Sequence, residues 1–244
     1  DFMSKLQEFL KNQEKSVMSV VEGKTIIDFF DNNAEEVPEY PALNTPINSE
    51  YTGWDSLSWS EYRETVHNLA SGLIDVGLEI EDNAFIIANN VKEHFISDLG
   101  IMHAGGVPST IYKQLKSGQI EYISNLLEAK IAFVGDAELF DEVNKARENC
   151  PDLKYIIMVK DYEQYKSLDY VLSYEDLISK GREINNNDKS ELENRINSIK
   201  PDSLACLIFT SGTTGNPKGV MLTHENVLFT CLLYTSPSPR DSDT

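Results

Sequence analysis

Cysteine and histidine are scarce in this chain, and neither stands where disulfide or metal chemistry would need it. The three cysteines among 244 residues, Cys150, Cys206 and Cys231, show no metal-ligand spacing and no even disulfide framework. Cys206 lies in an apolar run and reads as a small core residue. The four histidines, His67, His94, His103 and His224, are scattered. None has a cysteine or a second histidine at ligand spacing, so chain order supports neither a zinc site nor a Ser-His-Asp site. Long hydrophobic runs are missing too: no stretch approaches the roughly 20 apolar residues that cross a bilayer, so any membrane contact is expected to be peripheral. Positive charge is in deficit, with 21 Lys and Arg against 40 Asp and Glu and a net charge of -19. Nucleic acid rewards clustered basic residues, and anionic lipid does the same; neither is an expected partner. No basic, apolar and small-residue succession marks a signal peptide at the start, and the expected location is the reducing cytoplasm.

What is present is an ordinary globular composition, 41% hydrophobic and 25% charged, in a chain long enough for one or two domains. Apolar periodicity alternates between strand and helix. Helices are expected at Thr25 to Asn33, Ser58 to Val76, Lys92 to His103, Ser117 to Ala129 and Glu138 to Asn149. Strands are expected at Ala84 to Ala88, Val107 to Ile111, Ile131 to Gly135 and Tyr155 to Val159. Alternation at this interval implies βαβ units, hence an α/β fold of layered, parallel-rich sheets with flanking helices. Ser58 and Glu61 form a capping box, Tyr62, Val66, Leu69, Leu73 and Val76 repeat at three or four, and Gly77 is the stop; this helix is core packing. Gly105-Gly106 ends one helix and opens a strand. Tyr112 either lines a substrate channel or fills the sheet face. Residues 180 to 200, rich in Asn, Lys, Glu and Asp, read as a polar surface connection with a helix from Asp188 to Ile199, after which the strand Leu204 to Phe209 would complete the sheet.

The densest information lies directly after that strand, in Thr210 to Gly219, TSGTTGNPKG. Gly212, Gly215 and Gly219 let the backbone approach a ligand closely, so that successive N–H groups point into one concavity. Thr210, Ser211, Thr213 and Thr214 add hydroxyl donors, Lys218 adds a mobile positive charge, and Pro217 fixes the backbone before it. Thr223 is placed to cap a following helix, with Asn226 three residues on. Strand, glycine-rich loop and helix together make a phosphate cradle. It is not a Walker loop, because Pro217 stands where the second glycine belongs, and Thr214 breaks the GxGxxG pattern.

The string resembles the phosphate-binding signature of the adenylate-forming (AMP-binding) superfamily, the acyl-CoA synthetases, aryl-CoA ligases, luciferases and adenylation domains of peptide synthetases. Leu57 to Arg63, Leu69 to Leu73, Val76 to Leu78, Asn89-Asn90 with Glu93, Asp98 to Ile101, Gly105 to Tyr112 and Gln119 to Ile123 follow in an order similar to the long-chain fatty acyl-CoA synthetase branch. The resemblance covers most of residues 20 to 229 and implies an amino-terminal, incomplete part of the large domain. It implies ATP, Mg2+ and coenzyme A as co-substrates and a fatty acid as substrate. Thr210, Ser211, Gly212, Thr213, Thr214, Gly215, Asn216 and Lys218 would then hold the ATP phosphates. The family's adenine- and ribose-binding segments, its hinge and its late catalytic lysine have no counterpart before Thr230, so catalytic residues are expected downstream and the fragment alone is expected to be inactive. A carrier-protein-loading adenylation domain and a non-catalytic nucleotide-binding module remain alternative readings.

Residues 1–19 read as an amino-terminal extension and 20–230 as the partial AMP-binding domain. From Cys231 the Ser- and Pro-containing sequence resembles the one-frame translation of a sequencing-library adapter. A non-native tail over 231–244, interrupting the helix begun at Thr223, is the expectation there.

Overall fold

In the computed structural model, which describes residues 2–48, 50–210 and 217–235, the chain opens with helices α1 (Phe2–Val21) and α2 (Ile26–Glu36) and an antiparallel hairpin of β1 (Pro41–Pro46) and β2 (Trp54–Ser58). Alternating elements follow: α3 (Trp59–Asp75), β3 (Asn83–Ile87), α4 (Lys92–His103), β4 (Val107–Thr110), α5 (Ser117–Leu127), β5 (Ile131–Val134), α6 (Ala137–Arg147) and β6 (Tyr155–Met158). The last third contains β7 (Val171–Ser173), α7 (Tyr174–Asn187), α8 (Ser190–Ser198), β8 (Leu204–Thr210), β9 (Lys218–Thr223) and α9 (His224–Thr235).

Five strands make one parallel sheet in the order β4-β3-β5-β6-β7. The sheet is apolar on both faces because successive residues point to opposite sides. Ala84, Ile86, Ile131, Phe133 and Ile157 join one core with α3, α4 and α7. Phe85, Ile87, Ala132, Val134, Ile156 and Met158 join a second core with α5 and α6. This is the α/β architecture that the alternating periodicity implies.

Local chemistry explains most boundaries. Ser58 Oγ accepts from Glu61 N at 3.2 Å and Glu61 Oε2 accepts from Ser58 N at 2.8 Å, the reciprocal cap that starts α3. Gly77 (φ +91°) and Gly105 (φ +86°) take the left-handed backbone that ends α3 and α4. Thr25 caps α2 with Asp28 in the same reciprocal way.

The structure corrects several expectations. The helix expected at Asp188 to Ile199 is α8, but residues 180 to 200 are not a surface connection alone: α7 runs to Asn187, and Gly181, Asn185, Leu192 and Arg195 are buried. Polar composition misleads because α7 lies close against α3. Leu177 and Ile178 are buried in that interface, and Ser71, Asn185 and Asn68 form a buried hydrogen-bonded chain across it, at 2.7 and 2.9 Å. Arg195 is buried because its guanidinium donates to the carbonyls of Leu78 at 3.0 Å and Ala104 at 3.2 Å. Strand β8 does not complete the sheet: among the described residues it pairs only with β9, antiparallel. Helix α9 is not interrupted at Cys231 but continues to Thr235. Cys231 to Thr235 holds neither proline nor glycine to break it. The amino-terminal extension expected over 1–19 is occupied by α1, whose Val17 and Val21 bury against Leu228 of α9. Among the described residues no helix is long and apolar enough to cross a membrane.

Candidate functional site

The glycine-rich segment sits at the tip of the β8–β9 hairpin. Register runs Leu204↔Thr223, Leu207↔Met221, Phe209↔Gly219 and Thr210↔Lys218, so Thr210 and Lys218 face each other across the mouth of the loop. Both are exposed. Ser211, Gly212, Thr213, Thr214, Gly215 and Asn216, the rest of the expected phosphate contacts, lie outside the described residues. The expectation of strand, loop and helix needs one correction: the chain returns through β9 before α9 begins. Val220, Met221 and Leu222 in extended backbone satisfy the N–H and C=O groups of β8, which a helix could not do.

The hairpin is anchored to the sheet domain at two places. Ser109 Oγ of β4, fully buried, donates to the Leu207 carbonyl at 2.8 Å. Phe209 is buried in the core beneath α5 and α6, with Leu207 packed beside it. At the other end, Thr223 and Asn226 cap α9 reciprocally, Asn226 N donating to Thr223 Oγ1 at 3.2 Å and Thr223 N to Asn226 Oδ1 at 3.3 Å. The pairing of Thr223 with Asn226 agrees with the expected cap.

His224 is a functional anchor that the sequence does not announce. Its Nδ1 accepts from Ile26 N at 3.2 Å, tying the start of α9 to the first turn of α2. Burial holds its imidazole down at about 4, so it is neutral and able to accept. The outer face of the hairpin is apolar and open: Ile208, Val220 and Met221 are exposed. Tyr112 is exposed after β4 and does not fill the sheet face. Cys206 is half-buried, with its thiol raised to about 11 by burial and by the nearby Asp98 carboxyl, as suits an unreactive packing residue.

The histidines also come together in a way chain order hides. Asp31 of α2, His67 of α3 and His103 of α4 place one ligating atom each within 4.8 Å of the others. Sequence spacing carries no sign of this proximity, since 36 residues separate His67 from His103 while their rings stand 5.2 Å apart.

The family model described as "AMP-binding enzyme" matches residues 30–243. The chain belongs to the AMP-binding enzyme family. Among relatives of this AMP-binding chain, "Long-chain-fatty-acid--CoA ligase ACSBG2" of Xenopus laevis is 31% identical over 217 residues, covering 89% of this chain and 28% of that protein. "Long-chain-fatty-acid--CoA ligase heimdall" of Drosophila melanogaster is 31% identical over 222 residues, covering 89% of this chain and 32% of that protein. The chain thus spans about three-tenths of the length of the curated relatives it matches. Among solved structures, a long-chain-fatty-acid-CoA ligase (FadD1) from Archaeoglobus fulgidus superimposes with a TM-score of 0.69 at 21% identity, covering 88% of this chain and 40% of that one. The anthranilate CoA ligase AuaEII, solved with anthranoyl-AMP, does so with a TM-score of 0.67 at 20% identity, covering 83% and 35%. These likenesses establish the α/β fold of the amino-terminal part of an adenylate-forming enzyme.

Proposed function

We propose that this AMP-binding chain is the amino-terminal part of a ligase that activates a long-chain fatty acid with ATP and passes it to coenzyme A. The observation that carries the proposal is the hairpin mouth, where Thr210 and Lys218 flank TSGTTGNPKG on an anchored pair of strands. The carboxylate attacks the α-phosphorus of ATP, forming the acyl–adenylate bond as the bond to pyrophosphate breaks. The thiol of coenzyme A then attacks the acyl carbon and AMP leaves.

In the first step pyrophosphate departs with negative charge, and the hairpin residues serve it. Hydroxyls of Thr210, Ser211, Thr213 and Thr214, with backbone N–H groups around Gly212, Gly215 and Asn216, donate to the β and γ oxygens, and Lys218 neutralises charge as it accumulates. Mg2+, arriving with the nucleotide, would add charge neutralisation at the same phosphates. The long-chain assignment rests on what the relatives are called. The open hairpin edge and the exposed Ile208, Val220 and Met221 are the surface on which the remaining strands of the domain would pair.

Lys218→Ala in the full-length protein tests the reading. Pyrophosphate release with oleate and ATP is expected to fall about 10²-fold or more, the loss typical of one donor to a developing charge. An unchanged rate and an unchanged KM for ATP would sink it.

A further inference from the structure

Three helices of the layer over the sheet each bring one ligand-type side chain to a common point. Asp31 Oδ1 of α2 stands 3.5 Å from His67 Nε2 of α3, and His103, the last residue of α4, completes the group within 4.8 Å. His103 is wholly buried. Its Nδ1 lies 2.7 Å from the Leu99 carbonyl oxygen, which can only accept, so the proton is on Nδ1 and Nε2 presents a bare lone pair.

That lone pair has no hydrogen-bond partner, and Asp31 Oδ1 and His67 Nε2 face only each other, at 3.5 Å, too long for a full hydrogen bond, although all three atoms are buried. Buried polar atoms are ordinarily paired. A proton on His67 Nε2 would serve the carboxylate or His103 but not both, and one acceptor would stay unmet. Arg63, the cation nearest Asp31 on α3, reaches instead toward Glu35 at 3.6 Å. One divalent cation satisfies all three atoms at once.

We infer that Asp31, His67 and His103 form a binding site for a single divalent transition-metal ion, with zinc the best match to two imidazoles and a carboxylate. Tetrahedral zinc with bonds of about 2.0–2.2 Å sets its ligands about 3.3–3.6 Å apart. The Asp31–His67 pair already has that separation, and His103, within 4.8 Å of both, needs to close by no more than about 1.5 Å. The Leu99 carbonyl on Nδ1 is the outer contact that fixes the tautomer and ring orientation of a metal-bound histidine. Water as the fourth ligand would enter past these buried atoms from one of the surface cavities that Asp31 (about 340 Å³) and His67 (about 300 Å³) border. The ion would pin α2 to α3 and α4, and through His224 and Ile26 it would steady the helix that follows the hairpin. It lies among helices rather than on the hairpin, and is separate from the Mg2+ that accompanies ATP.

The test is titration of the metal-free 244-residue chain with Zn2+ by calorimetry, and with Co2+ by visible absorption. One equivalent of Zn2+ should bind and raise the thermal midpoint, and Co2+ should show the intense ligand-field bands of a tetrahedral nitrogen and oxygen site. Asp31→Asn and His67→Gln, both at partly exposed positions, should each weaken binding at least about tenfold, whereas His94→Gln and Cys206→Ser should leave it unchanged. Absence of stoichiometric binding would overturn the assignment, as would wild-type affinity in both cluster variants. Should a cluster variant fail to fold, the wild-type Co2+ spectrum decides: weak octahedral bands or a sulfur charge-transfer band would refute the site.

Discussion

Replacing Gly181 by alanine sets two opposed effects against each other at the α3–α7 contact. Alanine is the better helix former by about 1 kcal/mol, which on propensity alone would stabilise the protein. A Cβ at Gly181, however, would fall on the Asn68 carbonyl oxygen, 2.7 Å from the Asn68 carbonyl carbon and 2.8 Å from Gly72 N. These are backbone atoms of α3 and have no rotamer to escape into. Ordinary contact near 3.4 Å or more requires the two helices to separate. Overpacking of this kind costs about 1–3 kcal/mol. Separation also strains the Ser71–Asn185–Asn68 chain, and each buried group left unpaired costs a further 1–3 kcal/mol or so. Against the propensity gain, a net loss of about 3 kcal/mol is expected. Urea unfolding followed by circular dichroism measures it, as a lower midpoint at unchanged slope. Gly118→Ala is the control: it lies in the first turn of α5 with open space around its Cβ, and should be neutral or stabilising by up to about 1 kcal/mol. A Gly181→Ala protein as stable as the parent would refute the claim that close helix approach, not composition, buries α7.

Three other outcomes are expected. Arg195→Leu removes the donors to the Leu78 and Ala104 carbonyls and to Glu79 and Glu191; the cost should be about 2–4 kcal/mol, and Arg195→Lys, which lacks the fork, should recover less than half of it in the same urea experiment. In the metal-free protein, stability should fall on acidification between pH 6.5 and 4. His103 and His224, held at about 4 in the fold by burial against 6.5 when free, take up protons first in the unfolded chain, so their contribution is intact above 6.5 and is lost as pH falls toward 4. Burial raises Asp98 from 3.8 to about 6, giving the opposite sign: its contribution is present below about 4 and lost as pH rises to 6. Two imidazoles at about 3 kcal/mol each outweigh one carboxyl of similar size, and denaturant midpoints at pH 7 and 4.5 with and without His224→Gln test it; a flat profile contradicts the neutral-histidine assignment. Ser109→Ala should leave the Leu207 carbonyl unpaired where the hairpin meets β4, costing about 1–2 kcal/mol and speeding amide exchange in β8 more than in β3; equal effects on both strands would show that the hairpin has no independent anchor.

Elements whose chemistry is local were legible in the chain itself. The reciprocal caps at Ser58/Glu61 and Thr223/Asn226 require only three-residue spacing, and β3, β5 and β6 announce themselves as short apolar runs because a parallel sheet is covered on both faces. Helix α7 was not legible. Its segment is polar along most of its surface, and what buries it is the pair of glycines, Gly72 and Gly181, that lets two backbones approach; neither glycine signals its partner. The hairpin was half legible: the loop and its phosphate-binding residue types stand out, but β9 does not, because strand identity there depends on β8 being available to pair.

What the sequence by itself determined, then, is what neighbouring residues decide through backbone geometry and period: the βαβ alternation, the caps, the glycine-rich loop and, through the ordered run of motifs, the family. Only the tertiary structure decided which distant groups meet. Asp31, His67 and His103 become one cluster, Arg195 becomes a buried donor, and β8 is separated from the sheet it follows, because burial and proximity are properties of packed helices and sheets, and residues far apart in the chain carry no local record of them.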